Sequence, residues 1–348
     1  MKGLRKVLTP FAPDQSGAVG VLYELGGLVV ICDAGGCTGN ICGFDEPRWS
    51  TRRSAVFSAG LRDMDAIMGR DDRLVEKLCD AARKLQPRFA AVIGTPVPSV
   101  IGTDYRALMR MAAKKCELPM LAVDTNGMEL HDAGASKAYV RLIETFAEPR
   151  ADRACDAVGV FGTTPLDLSD LHAAEKITAA LGQNGAEDIR CYGMGAGLEA
   201  LREAANVKEN LVTAPSGLAA ARLLREKYGI PYTADVPYAG EYIPAQDYTG
   251  LRVLVCAQQV LAHALRTRLQ RLGAAGVTAA VWFMQDRELS REGDVQLHEE
   301  DDFAALAGRG FDVIFADSTL RPLVPDFGGL WVDVPDFALS GRLVNADA

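Results

Sequence analysis

Residues 28–43 read LVVICDAGGCTGNICG. Four large apolar residues in succession, closed by Asp-Ala-Gly-Gly, describe a strand buried on both faces that stops at a turn needing an unusually free backbone. Strands of that kind belong to parallel sheets covered by helices. Eight further runs of the same character follow, at 89–95, 120–125, 157–163, 188–194, 210–215, 252–257, 278–284 and 311–318. Between them DDRLVEKLCDAARKLQ, SGLAAARLLREKYG and QVLAHALRTRLQRLG space their apolar residues by three and four and end in basic residues, glycine or both, as helices lying over a sheet do. Nine strands are too many for one compact sheet of this type. The proline- and charge-rich stretches ETFAEPRADRACD (144–156) and VPYAGEYIPAQDYTG (236–250) divide them. The expectation is an α/β chain of three Rossmann-like domains, each a mostly parallel sheet flanked by helices, over residues 1–150, 151–245 and 246–348. In such sheets ligands gather at the carboxyl ends of the strands, where the turns after 93, 123 and 161 lie.

Composition narrows the chemistry. The chain has 348 residues and a formal charge of −9, a poor match for nucleic acid or an anionic membrane and a better one for small molecules and proteins. The basic N-terminal stretch has no apolar core behind it, and the longest apolar run is interrupted by Glu24, so neither a secretory signal nor a membrane span is expected. A cytoplasmic protein is the reading. Eight cysteines in a reducing compartment are then core residues, metal ligands or redox groups rather than disulfides.

Cys32, Cys37 and Cys42, five residues apart, share one glycine-rich connection. Thiolates are soft ligands for iron, and glycines such as Gly36 and Gly39 leave the main chain open to a bulky inorganic body, so the loop suits an iron–sulfur cluster. Structural zinc fits less well, because it calls for four ligands and no histidine stands nearby. The plainer alternative is three small buried cysteines at a tight turn. Arg48, Arg52 and Arg53 follow around Trp49, placed to hold an anion or offset cluster charge, or else to pair with Asp45 and Glu46. Cys79 falls on an apolar helix face, Cys155, Cys191 and Cys256 lie in or beside strands, and Cys116 closes a helix; none has a ligand neighbour in sequence. The glycine turn GMGAG (193–197) reads as a domain turn, the HEEDD run from His298 as a solvated face, and His131 as a loop residue beside Asp132.

The strand running into CDAGGC resembles the nitrogenase component 1 family, whose corresponding turn ends in a cysteine that binds a bridging iron–sulfur cluster. Cys37 matches that ligand, and Cys32 stands where the family usually has histidine. FSAGLRDMDAIMGRDDRLVEKL (57–78), TPVPSVIGTDYRAL (95–108), GVFGTTPLDLSDL (159–171) and the stretches 185–231, 251–273 and 310–318 look like successive parts of the same family, so the likeness runs nearly the full chain. Two departures stand out. Pro96 occupies a slot that usually holds a cysteine ligand, and no cysteine precedes the loop near LTPFAP. The resemblance therefore implies a cluster, 4Fe-4S or larger, held by Cys37 and Cys42 with Cys32 as the further candidate, beside Gly36, Gly39 and Arg48, and shared between subunits of a homodimer or a heterodimer with a related subunit. It implies low-potential electrons from an ATP-dependent iron–sulfur reductase and a small-molecule substrate, with Asp104 an acidic candidate for proton donation. No later Cys and His pair matches the ligands of a large molybdenum–iron cofactor. A cluster-assembly scaffold is the second expectation, and a metal-free small-molecule-binding protein the third.

Overall fold

The computed structural model describes residues 5–62, 70–149 and 156–344. Cys155, the middle of the 57–78 segment and part of the 144–156 boundary fall outside them. Among the described residues are three all-parallel sheets. The first has the order β2-β1-β3-β4, built from β1 (Leu28–Ile31), β2 (Ala55–Ser58), β3 (Ala90–Ile93) and β4 (Met120–Val123). The second has the order β6-β5-β7-β8, from β5 (Val158–Phe161), β6 (Ile189–Cys191), β7 (Glu209–Val212) and β8 (Tyr232–Ala234). The third has the order β11-β10-β9-β12-β13, from β9 (Arg252–Cys256), β10 (Gly276–Val281), β11 (Val295–Gln296), β12 (Val313–Ala316) and β13 (Leu330–Asp333). The α/β class with helix-flanked parallel sheets is as expected from the sequence.

Each face of β1 packs into a different core. Val29 and Ile31 face helix α1 (Asp14–Leu22) and the His131–Phe146 helix, in a cluster that continues to Phe161 and Val212 of the second sheet. Leu28, Val30 and Cys32 face the opposite way, against the Asp71–Leu85 and Tyr105–Lys115 helices. The two helices between the sheets cross at closest approach through glycine. A Cβ on Gly17 would lie 1.8 Å from the His131 carbonyl oxygen, and one on Gly134 1.7 Å from that of Asp14. All of α1 is buried, so it behaves as a shared core element rather than an amphipathic surface helix.

The third sheet holds the beginning of the described chain. Glu300, read from sequence within a solvated acidic face, is buried, and its carboxylate accepts hydrogen bonds from the backbone N–H groups of Lys6, Val7 and Leu8 at 2.7–2.9 Å. Leu8 and Ala12 complete the core of that sheet. The Glu300 carboxyl is held below its ordinary value by those donors, although burial pushes the other way. A second correction concerns cysteine. Cys79 and Cys116, read as a core residue and a helix-end residue, form a disulfide with their Cα atoms 5.8 Å apart.

One buried side chain adds a polar link between the first and second sheets to their shared apolar core. Arg48 is 1% exposed and spends all five of its N–H donors inside the protein: on both oxygens of Glu46, on Glu24, and on the carbonyls of Gly20 and Gly193, at 2.6–2.9 Å. Taking an arginine and a carboxylate out of water costs several kcal/mol per ion, and several charge-assisted hydrogen bonds of about 1.5–3 kcal/mol each offset that cost. The balance holds only while every partner is present. Arg48→Met is therefore expected to destabilise the protein by roughly 3–5 kcal/mol, because it strands the Glu46 carboxylate, and the Arg48→Met/Glu46→Gln double variant should recover part of the loss. Equilibrium urea denaturation checks this; a loss under about 1 kcal/mol for the single variant would show that Arg48 holds nothing together.

Candidate functional site

The cysteine connection leaves β1 between β2 and β3, at the place where the strand order of the first sheet reverses. It is more helical than its glycines suggest. After Gly35, whose φ of 120° excludes other residues, Gly36–Asn40 form a short helix α2, which widens into an i→i+5 turn closed by the Glu46 N–H on the Ile41 carbonyl at 2.9 Å. Asp33 fixes the entry. Its buried carboxylate accepts from the Thr38 N–H at 2.8 Å and from the hydroxyls of Thr38 and Ser58 at 3.1 and 2.6 Å, so α2 is tied to β2. Asp45 ties the exit to α1, accepting from Ser16 and Asn40 at 2.7 and 2.8 Å. Arg48 then anchors the segment to the Gly193 turn of the second sheet, and Glu24 adds a bond from the Gly195 N–H at 3.0 Å. The GMGAG stretch is thus the docking point of the cysteine loop.

The three loop cysteines do not converge. Cys32 is 2% exposed and packs with Leu74, Leu78 and Cys79 on the outer face of the sheet, where burial, with Asp71 and Asp33 nearby, pushes its thiol up to about 12. Cys37 and Cys42 are half-buried free thiols packed against the opposite core. Burial raises both, reinforced by Asp33 at Cys37 and by Glu46 and Asp33 at Cys42. Neither thiol is activated as a bare nucleophile, and a metal must displace its proton. Gly36 and Gly39 are exposed, with nothing within 4 Å of where a Cβ would stand, so the backbone around Cys37 is open to a large body. Two soft donors on an open main chain fit part of a cluster's ligand shell. Among the described residues no group of three or more His, Cys, Asp or Glu side chains is arranged to hold a metal ion.

Arg48 stands apart from the position expected of it. With every donor spent on the protein, it offers nothing to a cluster or substrate and acts by placing the loop. Arg52 pairs with Glu24 at 2.7 Å, and Arg53 is exposed. Asp104 caps the Tyr105–Lys115 helix by accepting the Ala107 N–H at 3.0 Å; that bond lowers its carboxyl below the ordinary range, which suits a cap and not a proton donor. His131 opens a helix rather than a loop and is buried edge-on against Phe283 at 4.8 Å. Cys191 and Cys256 are buried in strands, as their patterns indicate.

What sequence reasoning did not single out is the apolar surface around the thiols. The carboxyl-end loops of β1, β3 and β4 each expose large apolar side chains, Phe44 after β1, Val97, Val100 and Ile101 after β3, and Met128 after β4, and Phe57 is exposed near the end of the edge strand β2. Phe44, Val100 and Met128 are 76%, 86% and 84% exposed. Singly such residues mean little, but grouped at one rim they mark a binding face. A cavity of about 660 Å³ opens beside the loop, where Asn40, Gly43 and Asp45 meet Pro10, Leu166 and Phe337. A larger hollow of about 890 Å³ runs along β6 and includes no residue of the loop.

Comparison with known proteins agrees with this architecture. Residues 15–243 match the family model "Nitrogenase component 1 type Oxidoreductase". The chain is 24% identical over 181 residues to the nitrogenase iron-molybdenum cofactor biosynthesis protein NifE of Clostridium pasteurianum, covering 51% of this chain and 38% of that protein. It is 25% identical over 197 residues to NifE of Rippkaea orientalis, with 52% and 39% covered. The chain thus spans about two fifths of the length of these curated relatives. The solved structure "Nitrogenase Cp1 at pH 6.5" superposes with a TM-score of 0.72 at 14% identity over 99% of this chain and 89% of the other, a likeness of fold. With a family model that covers well over half of its residues, the chain belongs to the nitrogenase component 1 type oxidoreductase family.

Proposed function

We propose that this protein carries an iron–sulfur cluster bridged between two subunits and serves as a scaffold on which a metal cluster is assembled and handed on. One observation carries the reading: Cys37 and Cys42 lie as half-buried, unpaired thiols on an open glycine backbone, surrounded by the exposed apolar rim of Phe44, Phe57, Val100 and Met128. Two thiols are half of a four-ligand shell, and an apolar rim is what a second subunit with the complementary half would cover. Cys32, facing the other core, stays outside the set. Gly36 and Gly39 give the cluster its approach, and Arg48 holds the loop in register without touching it. The similarity to proteins named for cofactor biosynthesis supports assembly over turnover. So do thiols raised above their usual range, which bind metal less firmly than activated thiolates.

The second reading is an electron relay, favoured by the oxidoreductase family model. An ATP-dependent reductase would dock on the rim and pass electrons through the cluster to a small substrate in the 660 Å³ cavity. Both readings take each sheet as one domain, divided near 150 and 245, in a cytoplasmic protein. Among the described residues no helix is long and apolar enough to cross a membrane.

Anaerobically purified protein is expected to hold iron and acid-labile sulfide in stoichiometric amounts, and Cys37→Ala or Cys42→Ala to lose most of both while Cys32→Ala retains them. A folded, iron-free dimer after anaerobic reconstitution would end the cluster reading. Transfer of the cluster to an apo 4Fe-4S acceptor selects the scaffold; steady consumption of a reducible substrate with a reductase selects the relay. Acidity supplies an independent check. Because both thiols titrate above their ordinary range and must lose protons to ligate, affinity for Cd²⁺ should rise between about pH 6.5 and about pH 8.5, by roughly tenfold per unit for each thiol engaged. Charge-transfer absorbance reads this directly, and a flat profile would remove the pair from the ligand set.

A further inference from the structure

The Cys79–Cys116 disulfide joins two helices that together cover the outer face of the first sheet. Its sulfurs are not equivalent. Cys79 sits in the middle of the Asp71–Leu85 helix, 3% exposed, packed with Leu74, Val75 and Leu78 over Leu28, Val30 and Cys32. Cys116 is half-buried just past the end of the Tyr105–Lys115 helix, and both cysteines line a surface hollow of about 280 Å³ with Arg83, Gln86, Pro87 and Leu118. A hollow of that size admits a thiol such as cysteine or dithiothreitol to the couple, and the greater exposure of Cys116 presents its sulfur first, with Cys79 recessed at 3% exposure.

We propose that this couple is a thiol-exchange site in which Cys116 is the sulfur open to attack and Cys79 the buried leaving group, and that its state sets how firmly the helix over Cys32 is held. An incoming thiolate bonds to Cys116 Sγ; the bond between the two cysteines breaks; its electron pair goes to Cys79 Sγ, which takes a proton. A second thiolate then attacks the added sulfur and frees Cys116, so two thiols are oxidised to one disulfide and the protein gains two electrons and two protons. The reductant is a low-molecular-weight thiol or dithiol. The consequence reaches the cysteine loop by packing. The Asp71–Leu85 helix lies on β1 against Cys32, and Lys77 of the same helix donates to the Ala59 carbonyl at 3.0 Å, just past the end of β2. Once the bond is cut, that element loses its covalent tie and keeps its apolar face, the Lys77 hydrogen bond and the exposed Glu76–Lys115 pair.

The test uses the intact protein with dithiothreitol or glutathione under anaerobic conditions, quenched in acid, alkylated in denaturant and mapped by mass spectrometry. Early time points should show the added thiol on Cys116 and a free, alkylated Cys79. In the single variants, oxidised glutathione should modify Cys116 of Cys79→Ser at least roughly tenfold faster than Cys79 of Cys116→Ser. Amide exchange over residues 71–85 should quicken by a similar factor on reduction, with the second sheet unchanged. Mapping of the wild-type protein keeps the question answerable if either variant folds poorly. Modification of Cys79 first, or a couple that resists millimolar dithiol until the protein unfolds, would overturn the exchange site. Unchanged exchange over 71–85 after complete reduction would overturn its link to the helix.

Discussion

A guanidinium with no water around it organises this molecule. Arg48 reaches from the end of the cysteine loop into the space between two sheets and satisfies carbonyls on both sides of the boundary, Gly20 from α1 and Gly193 from the second sheet. Its counter-ions come from two different elements, Glu24 and Glu46, and removing the arginine would leave the buried Glu46 carboxylate without its partner. The loop therefore has a rigid base in spite of its glycines. At the tip the backbone conformation at Gly35 starts α2, and the flanking carboxylates Asp33 and Asp45 hold the tip to β2 and α1.

That arrangement separates two jobs within twenty residues. The anchoring groups are buried or half-buried and hydrogen-bonded to the protein; the thiols they place are half-buried and unpaired. Positioning and reactivity are thus carried by different side chains. Burial decides the difference among the cysteines themselves. One residue before the turn, Cys32 obeys the alternation of β1 and falls into the outer core, while the helical turn rotates Cys37 and Cys42 to the other side. Even spacing in sequence does not survive a change from a strand period to a helical one.

The same change explains which parts of the fold are legible in the sequence. All nine strands expected from apolar runs are present, and the four that were not foreseen, β2, β8, β11 and β13, are all edge strands. An edge strand is half wet, so AVFS and YTA do not stand out as buried runs. Of the site, the thiols and the glycine turn could be found by residue type, whereas the burial of Arg48 could not. Its partners are Glu24, 24 residues earlier, and Gly193, 145 residues later. The pairing of Cys79 with Cys116 was equally hidden, because 37 residues and a whole β–α unit lie between them. Glu300 looked like one acid in a charged run; only the three backbone amides of a distant segment distinguish it.

Those amides have a temporal meaning as well as a structural one. On a ribosome, residues 6–12 emerge almost three hundred residues before the carboxylate that receives their N–H groups, and well before the strands that shelter Leu8. During that interval the leading segment has no native place to settle. The first sheet assembles behind it, and the nascent chain carries an unclaimed apolar strap until the third sheet forms. Closing the strap is therefore a late, long-range event, and the cavity wall that includes Thr9 and Pro10 is finished only when it happens. Whatever fills that cavity meets a wall whose two sides, Pro10 and Phe337, were made more than three hundred residues apart.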